Sequence, residues 1–221
     1  MAERKIRPPG FGPAVDPLLA QALETLRAPG LLLGHRVITP GDEHALSPAE
    51  RAGREKATLK VHRQSGAARI LARQLLGQLG LPDAELPRLP NGAPKWPDGV
   101  AGSLAHDRDV TVAAVMHSEG SSFVGIDVEP AEPLPPRVME EVSTPGEQRR
   151  YDAELLQSRV LFCAKEAVYK AFNSKTGQFL GFQDVEVDLA KERAHIKGGT
   201  DMRVAVVTHP RIVALAFWPN S

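Results

Sequence analysis

The spacing of apolar positions predicts helices and strands along most of the chain. Positions 18, 19, 22, 23 and 26 form one helical stripe, which Pro29-Gly30 ends. Ser47, Pro48 and Glu50 form a capping-box start, so we expect a long helix from there to Leu79, with a break near Gly66. Further apolar periodicity predicts helices at 137–142, 145–152 and 153–172, and strands at 31–38, 110–116, 123–129, 185–189, 202–208 and 212–218.

Proline and glycine mark the irregular segments. The run 82–102 is dense in both, which predicts a surface loop of restricted backbone, a type of loop that often carries ligands. The polar segment 117–122 separates two β-rich runs and predicts a hairpin between them, and the Pro-rich segment 130–136 predicts a joint.

A short internal similarity bears on domain organisation. Residues 105–113 align with 208–216, because each segment has a His-x-Arg that leads into an apolar strand. Chance similarity between strands explains so short a match equally well. If it reflects duplication, it implies two related α/β halves, 1–118 and 119–221, with a ligand cleft between them.

Composition excludes several classes of protein. The chain of 221 residues has 27 basic and 27 acidic side chains, so no overall charge directs it to nucleic acid or to an anionic membrane. Cys163 is the single cysteine, which excludes an intrachain disulfide and a CxxC metal site. No apolar run approaches the ~18 residues of a membrane span, and we therefore expect a cytoplasmic protein.

Two carboxylates in one predicted strand suggest a metal site. Asp127 and Glu129 are two residues apart, so they project from the same face of the strand, about 7 Å apart. Adjacent carboxylates repel unless a cation lies between them, and Mg²⁺ is a cation that prefers such oxygen ligands. The alternative is an edge strand with two solvated acids, and that alternative is favoured for an isolated D-x-E.

The strongest predicted helix adds a third acid and two lysines. Glu166 and Lys170 are four residues apart and share a face, which by itself indicates a solvated ion pair worth about 0.2–0.5 kcal/mol. Together with Lys165 and the preceding D-x-E strand, they supply acids for a metal ion and cations for phosphates, as a phosphoryl-transfer site requires. His106, between the 82–102 loop and a strand, is a further candidate donor to a phosphate.

In their order along the chain, these segments resemble the 4′-phosphopantetheinyl transferases, in the enterobactin-type branch of bacterial enzymes. The resemblance covers roughly residues 43–190. Its motifs are Gly125-Ile126-Asp127-Val128-Glu129, Phe162-Cys163-Ala164-Lys165-Glu166-Ala167-Val168-Tyr169-Lys170, Pro94-Lys95-Trp96-Pro97, Gly102-Ser103-Leu104-Ala105-His106 and Leu180-Gly181-Phe182.

The resemblance implies a mixed α/β (α+β) fold of two pseudo-twofold-related halves, with coenzyme A and Mg²⁺ in the cleft between them. It assigns the metal to Asp127, Glu129 and Glu166, and catalysis to Glu166 and Lys170. It assigns coenzyme A to Arg69, Arg88, Asn91, Ala105, His106, Lys165 and Lys170. The chain departs from the family at Ala105, where a Ser or Thr is usual, and at Val61, where related enzymes often have an arginine that Lys60 or His62 would have to replace.

The implied reaction moves 4′-phosphopantetheine from coenzyme A to a serine of an apo acyl or peptidyl carrier protein, of primary or secondary metabolism. A monomer suffices, because the cleft lies within one chain. The alternatives are a non-catalytic module that binds coenzyme A or a nucleotide with Mg²⁺, and a metal-dependent phosphohydrolase. No D-x-D-x-T or His-rich hydrolase motif supports the second alternative.

Overall fold

The computed structural model describes residues 15–118, 122–151 and 155–218. Its helices are α1 Pro17–Glu24, α2 Pro48–Arg51, α3 Leu59–Gln78, α4 Pro136–Val142, α5 Pro145–Gln148 and α6 Gln157–Thr176, with 3-10 turns at Asp42–Ala45 and Phe182–Asp184. Its strands are β1 Leu31–Val37, β2 Val100–His106, β3 Val110–His117, β4 Val124–Pro130, β5 Val185–Asp188, β6 Arg193–Ile196, β7 Thr200–Val207 and β8 Arg211–Phe217. The predicted mixed α/β class is confirmed.

The strands form two antiparallel sheets that pack face to face between two long helices. The first sheet has the order β1-β3-β2 and the second β4-β8-β7-β6-β5. One apolar cluster joins the two sheets, a second joins α3 to the first sheet, and a third joins α6 to the second sheet. Each long helix thus covers the outer face of one sheet, and the first sheet comes entirely from residues before 118.

Strand alternation in β4 decides which side chains reach α6. Val124, Ile126 and Val128 are buried in the cluster between the sheets. The intervening positions therefore face the opposite side, toward α6, and they include Asp127 and Glu129. The predicted common face of these two carboxylates is confirmed.

Gly125 allows β4 and α6 to approach closely. A Cβ atom at this position would lie 1.9 Å from the Ala167 carbonyl oxygen and 2.7 Å from the Ala171 amide nitrogen. Any side chain would therefore push the helix away from the strand. The glycine sets the distance between the β4 carboxylates and the side chains of α6.

The region after Ser47 differs from the predicted long helix. The capping box forms, with Ser47 accepting from the Glu50 amide and Glu50 accepting from the Ser47 amide, but α2 ends at Arg51. The next helix, α3, begins at Leu59 and runs without interruption through Gly66, where a break was expected. Gly66 serves packing instead, because a Cβ there would lie 1.9 Å from the Asp42 carbonyl oxygen.

Strand pairing also differs from the sequence prediction. The strands β3 and β4 do not form the predicted hairpin, since β3 pairs with β1 and β2 while β4 pairs with β8. The strands β2 and β6 were not predicted, and β2 takes up the end of the expected 82–102 loop. The predicted helices 145–152 and 153–172 are shorter at their adjoining ends, because α5 ends at Gln148 and α6 begins at Gln157; residues 152–154 lie outside the described residues.

The two segments of internal similarity occupy equivalent places. Residues 105–113 run through the β2–β3 turn into β3, and 208–216 run through the β7–β8 turn into β8. The two turns touch, because Arg211 contacts Asp107 at 3.1 Å and Asp109 at 3.0 Å. The division at 118/119 lies in the connection between the two sheets and stays a prediction.

Candidate active site

A cavity of about 820 Å³ lies between the two parts of the chain. One wall is the loop Arg88–Gly99 with the first residues of β2, and the other is the second half of α6, including Lys170 and Asn173. The two walls meet where Asn91 Nδ2 donates to Asn173 Oδ1 at 3.3 Å. The volume is that of a site for a cofactor-sized molecule. Three predicted coenzyme contacts line it: Arg88, Asn91 and Lys170.

Lys170 connects this cavity to the β4 carboxylates. Its ammonium group donates to Asp127 Oδ1 at 2.6 Å and to the Ile126 carbonyl at 3.1 Å. The other oxygen, Asp127 Oδ2, is buried and has no hydrogen-bond partner among the described residues. The Cys163 thiol lies beside this carboxylate and donates to the Ile212 carbonyl at 3.8 Å. A buried carboxylate oxygen without a donor is suited to a cation.

The predicted metal ligands interact electrostatically. Burial raises the pKa of Glu166, and the Asp127 and Glu129 carboxylates raise it further, against the opposing effect of Lys170. Burial likewise raises the pKa of Glu129, with Asp127 adding to the rise and Arg159 opposing it. The third acid, from a helix, therefore does lie in the field of the two from the strand.

The carboxylates of Asp127, Glu129 and Glu166 nevertheless do not form a preassembled metal-binding cluster. Across the described ranges, no group of three His, Cys, Asp or Glu side chains stands close enough to hold a metal ion. The physical reason is local pairing, because Asp127 bonds to Lys170 and Glu129 bonds to Arg159 at 2.8 Å. The donor set still fits Mg²⁺, since it offers hard oxygen ligands and the unpartnered Asp127 Oδ2.

Several arginines gather behind the cavity loop. Arg69 donates to the Leu86 carbonyl at 3.2 Å, and Arg73 pairs with the buried Glu50 at 2.8 Å. Burial lowers the pKa of Arg69, and the nearby cations Arg54, Arg73 and Arg88 lower it further, while Glu50 opposes them. Guanidinium groups held in mutual repulsion favour a bound anion. The structure thus places Arg69 and Arg88 in one arginine group, and their contact with coenzyme A stays a prediction.

His106 and Ala105 end β2 but differ in exposure. Desolvation lowers the pKa of His106, and the Lys170 ammonium adds to that effect, although the residue keeps an exposed surface. His106 is a strand residue and not part of a loop-to-strand corner as predicted. Ala105 is buried in the cluster between the sheets, and its carbonyl accepts from Thr111 at 2.8 Å. Its methyl group therefore does not reach a ligand in the cavity.

Lys165 lies apart from the other predicted coenzyme contacts. Its side chain is 1% exposed, and its ammonium contacts Glu147 at 2.6 Å, the Val142 carbonyl at 2.9 Å and the Phe182 carbonyl at 2.8 Å. All three N–H donors are thus directed at protein acceptors. We assign it a structural role in place of the predicted coenzyme contact.

Sequence reasoning missed three residues of this region. Arg159 pairs with Glu129, Arg54 stands in the field of Arg88, and Asn173 forms the cavity wall opposite Asn91. Arg159 could have been found from helical spacing, because it precedes Glu166 by seven residues, or two turns of α6. Arg54 carries no such signal, since it lies between helices and joins the group only through folding.

Comparison with known proteins agrees with these observations. Residues 49–116 match the model of the 4′-phosphopantetheinyl transferase N-terminal domain, and residues 123–208 match that of the 4′-phosphopantetheinyl transferase superfamily. The 4′-phosphopantetheinyl transferase Npt of Nocardia iowensis is 36% identical over 186 residues, which are 83% of this chain and 78% of that protein. The chain belongs to the 4′-phosphopantetheinyl transferase superfamily.

Two further relatives match shorter parts of the chain. The 4′-phosphopantetheinyl transferase Svp of Streptomyces mobaraensis is 40% identical over 64% of this chain and 60% of its own length. The 4′-phosphopantetheinyl transferase PptT of Mycobacterium tuberculosis is 42% identical over 54% of each chain. The predicted family and the predicted enzyme class, a phosphopantetheinyl transferase, are confirmed.

The helices in the described part of the chain do not meet the requirements for a membrane-crossing helix. Among the helices that the structure describes, none has both the length and the apolar character that a bilayer span requires. Cytoplasmic location, a monomeric state and the absence of a nucleic-acid partner stay predictions.

Proposed function

We propose that this chain transfers 4′-phosphopantetheine from coenzyme A to a serine of an apo acyl or peptidyl carrier protein, which yields holo carrier protein and 3′,5′-ADP. The observation that carries the proposal is the cavity of about 820 Å³ between the two halves, with Lys170 joining its wall to Asp127. Family membership and the names of the relatives support the same reaction.

The phosphate groups of coenzyme A have matching cations on both sides of the cavity. On the N-terminal side, Arg88 lines the cavity and Arg69 belongs to the same arginine group behind the loop. His106, at the end of β2, is a candidate hydrogen-bond donor rather than a cation, because burial lowers its pKa. On the C-terminal side, Lys170 is one-quarter exposed and lines the cavity. We assign the 3′-phosphate to the first group and the pyrophosphate to Lys170.

Asp127, Glu129 and Glu166 are the residues that would hold Mg²⁺. A bound Mg²⁺ would neutralise developing charge on the pyrophosphate oxygens. Lys170 would direct the third N–H of its ammonium to a phosphate oxygen, since the other two are donated to Asp127 and the Ile126 carbonyl.

We assign Glu166 as the general base that accepts the proton of the serine hydroxyl. In the reaction the serine Oγ forms a bond to the phosphorus of the phosphopantetheine group, and the bond from that phosphorus to the bridging oxygen of 3′,5′-ADP breaks. The electron pair leaves with 3′,5′-ADP, and Glu166 accepts the proton of the serine directly or through water. A carboxylate within reach of the hydroxyl, directly or through one water, is a suitable general base for this step.

The test is a transfer assay with Mg²⁺, coenzyme A and an apo carrier protein. We expect the carrier to gain the mass of one phosphopantetheine group. One 3′,5′-ADP should be released for each carrier modified. Coenzyme A binding without a mass change, on a panel of acyl and peptidyl carriers, would instead indicate a non-catalytic binding module. Release of phosphate or nucleotide without any carrier would indicate a phosphohydrolase.

A further inference from the structure

Arg159 joins the start of α6 to the end of β4. Its guanidinium donates to Glu129 Oε2 at 2.8 Å, to the Glu132 carbonyl at 3.1 Å and to the Pro133 carbonyl at 3.1 Å. The side chain is only 16% exposed, so these contacts are protected from most solvent competition. One arginine therefore fixes both a carboxylate and the backbone that follows it.

Helical spacing places Arg159 in line with the catalytic face of α6. Residues 159, 166 and 170 differ by seven and four positions, so their side chains lie along one face of the helix. That face meets the β4 positions 127 and 129, and each β4 carboxylate has one cation: Lys170 for Asp127 and Arg159 for Glu129. Three acids and two cations leave one net negative charge when all are ionised.

We propose that Arg159 is a positioning residue for Glu129, which it holds so that this carboxylate can serve a divalent cation. The bond to Arg159 engages Oε2, which leaves Oε1 available as a ligand. The fork of a guanidinium suits this role, because it binds carbonyls and a carboxylate at fixed angles, whereas an ammonium is a point charge. The inference rests on the proposed metal site.

Metal binding tests the proposal without relying on turnover. Mn²⁺, a paramagnetic substitute for Mg²⁺, is titrated into the protein with and without coenzyme A, and binding is followed by electron paramagnetic resonance. Partners that orient metal ligands typically contribute 10–100-fold to metal affinity. We expect Arg159→Gln to weaken Mn²⁺ binding by about 10–100-fold, and Arg159→Lys to fall between that variant and the wild type, because it keeps the charge but loses the fork.

A matched control separates positioning from stability. Arg203→Gln removes an arginine from an exposed pair with Glu192, at 3.3 Å, and should leave Mn²⁺ affinity unchanged. Thermal unfolding without metal reports any loss of the contacts to the Glu132 and Pro133 carbonyls. In the transfer assay, the Mg²⁺ concentration for half-maximal rate should rise in Arg159→Gln, while kcat at saturating Mg²⁺ changes less.

Several outcomes would overturn the inference. Unchanged Mn²⁺ affinity with a lower unfolding temperature would reduce Arg159 to a structural residue, and tighter binding in Arg159→Gln would mean that its charge only competes with the metal. A wild-type protein that binds no Mn²⁺, even with coenzyme A, would remove the metal site and the inference together. If Mn²⁺ binding responds as expected but no carrier is modified, the proposed reaction fails while the role of Arg159 stands.

Discussion

Lys165 offers a direct way to separate structure from catalysis in the α6 motif. The motif implies a coenzyme contact, but the side chain is buried with its ammonium on Glu147 and on two backbone carbonyls. Lys165→Met keeps an unbranched side chain, shorter by one atom, and removes the charge. If the role is structural, the variant should lose stability and keep the coenzyme A affinity of its folded fraction.

The size of the stability loss in Lys165→Met depends on how well the remaining partner, Glu147, is still hydrogen-bonded. Breaking a buried pair by removing one ion costs about 3–5 kcal/mol. Glu147 still accepts hydrogen bonds from the Thr144 amide at 2.8 Å and the Val187 amide at 2.6 Å, so its carboxylate keeps two donors when the lysine is removed. We therefore expect about 3 kcal/mol, or a fall of roughly 6–12 °C in unfolding temperature for a chain of this size.

The assay combines urea unfolding, followed by circular dichroism, with calorimetric titration of coenzyme A. The double variant Lys165→Met/Glu147→Gln should recover part of the loss, because the uncompensated buried carboxylate is gone. Lys191→Met, which breaks an exposed pair with Asp188 at 3.1 Å, should change stability by less than about 1 kcal/mol. Unchanged stability with at least about tenfold weaker coenzyme A binding would refute the structural role.

Three further predictions concern the acids. Asp127→Ala should lower Mg²⁺-dependent transfer by at least about 10²-fold while the circular dichroism spectrum stays native, and near-normal activity would remove Asp127 from the metal site. Its control, Asp201→Asn at an exposed position of β7, should transfer at the wild-type rate. Glu166→Gln should reduce kcat by about 10²–10⁴-fold, with much less effect on coenzyme A affinity measured by titration, whereas equal losses would indicate a ligand role only. A hydrogen bond from Arg63 lowers the pKa of Glu43 from 4.5 to about 2, so Glu43 contributes stability that is complete above pH 4.5 and lost as the pH falls toward 2. Glu43→Gln should therefore lower the unfolding temperature at pH 7 but not near pH 2, and an equal difference at both pH values would contradict this linkage.

The reach of sequence reasoning is clearest in β4 and α6. Strand alternation placed Asp127 and Glu129 on one face, and helical spacing placed Glu166 and Lys170 on one face, and the structure has both arrangements. These are local regularities of backbone geometry, which a pattern of residue types expresses directly. The capping box at Ser47 and Glu50 belongs to the same class of signal.

Strand pairing could not be predicted from these local patterns. The run 123–129 was predicted as a strand, yet its partner is β8, more than 80 residues later, and not the neighbouring β3. The choice depends on packing one face against the first sheet and the other against α6, which no local window contains. Gly66 shows the same limit, since it reads as a helix breaker but serves a close contact with Asp42.

By itself, the sequence determined most of the helices and strands, the faces on which the acids and lysines lie, and the family, because each of these signals is a short local motif. Only the tertiary structure decided that Lys165 turns inward to Glu147 while Lys170 reaches Asp127, and that Arg159 holds Glu129. The reason is that a charged side chain takes whichever partner the packed elements bring within a few ångströms, and that partner is set by long-range contacts.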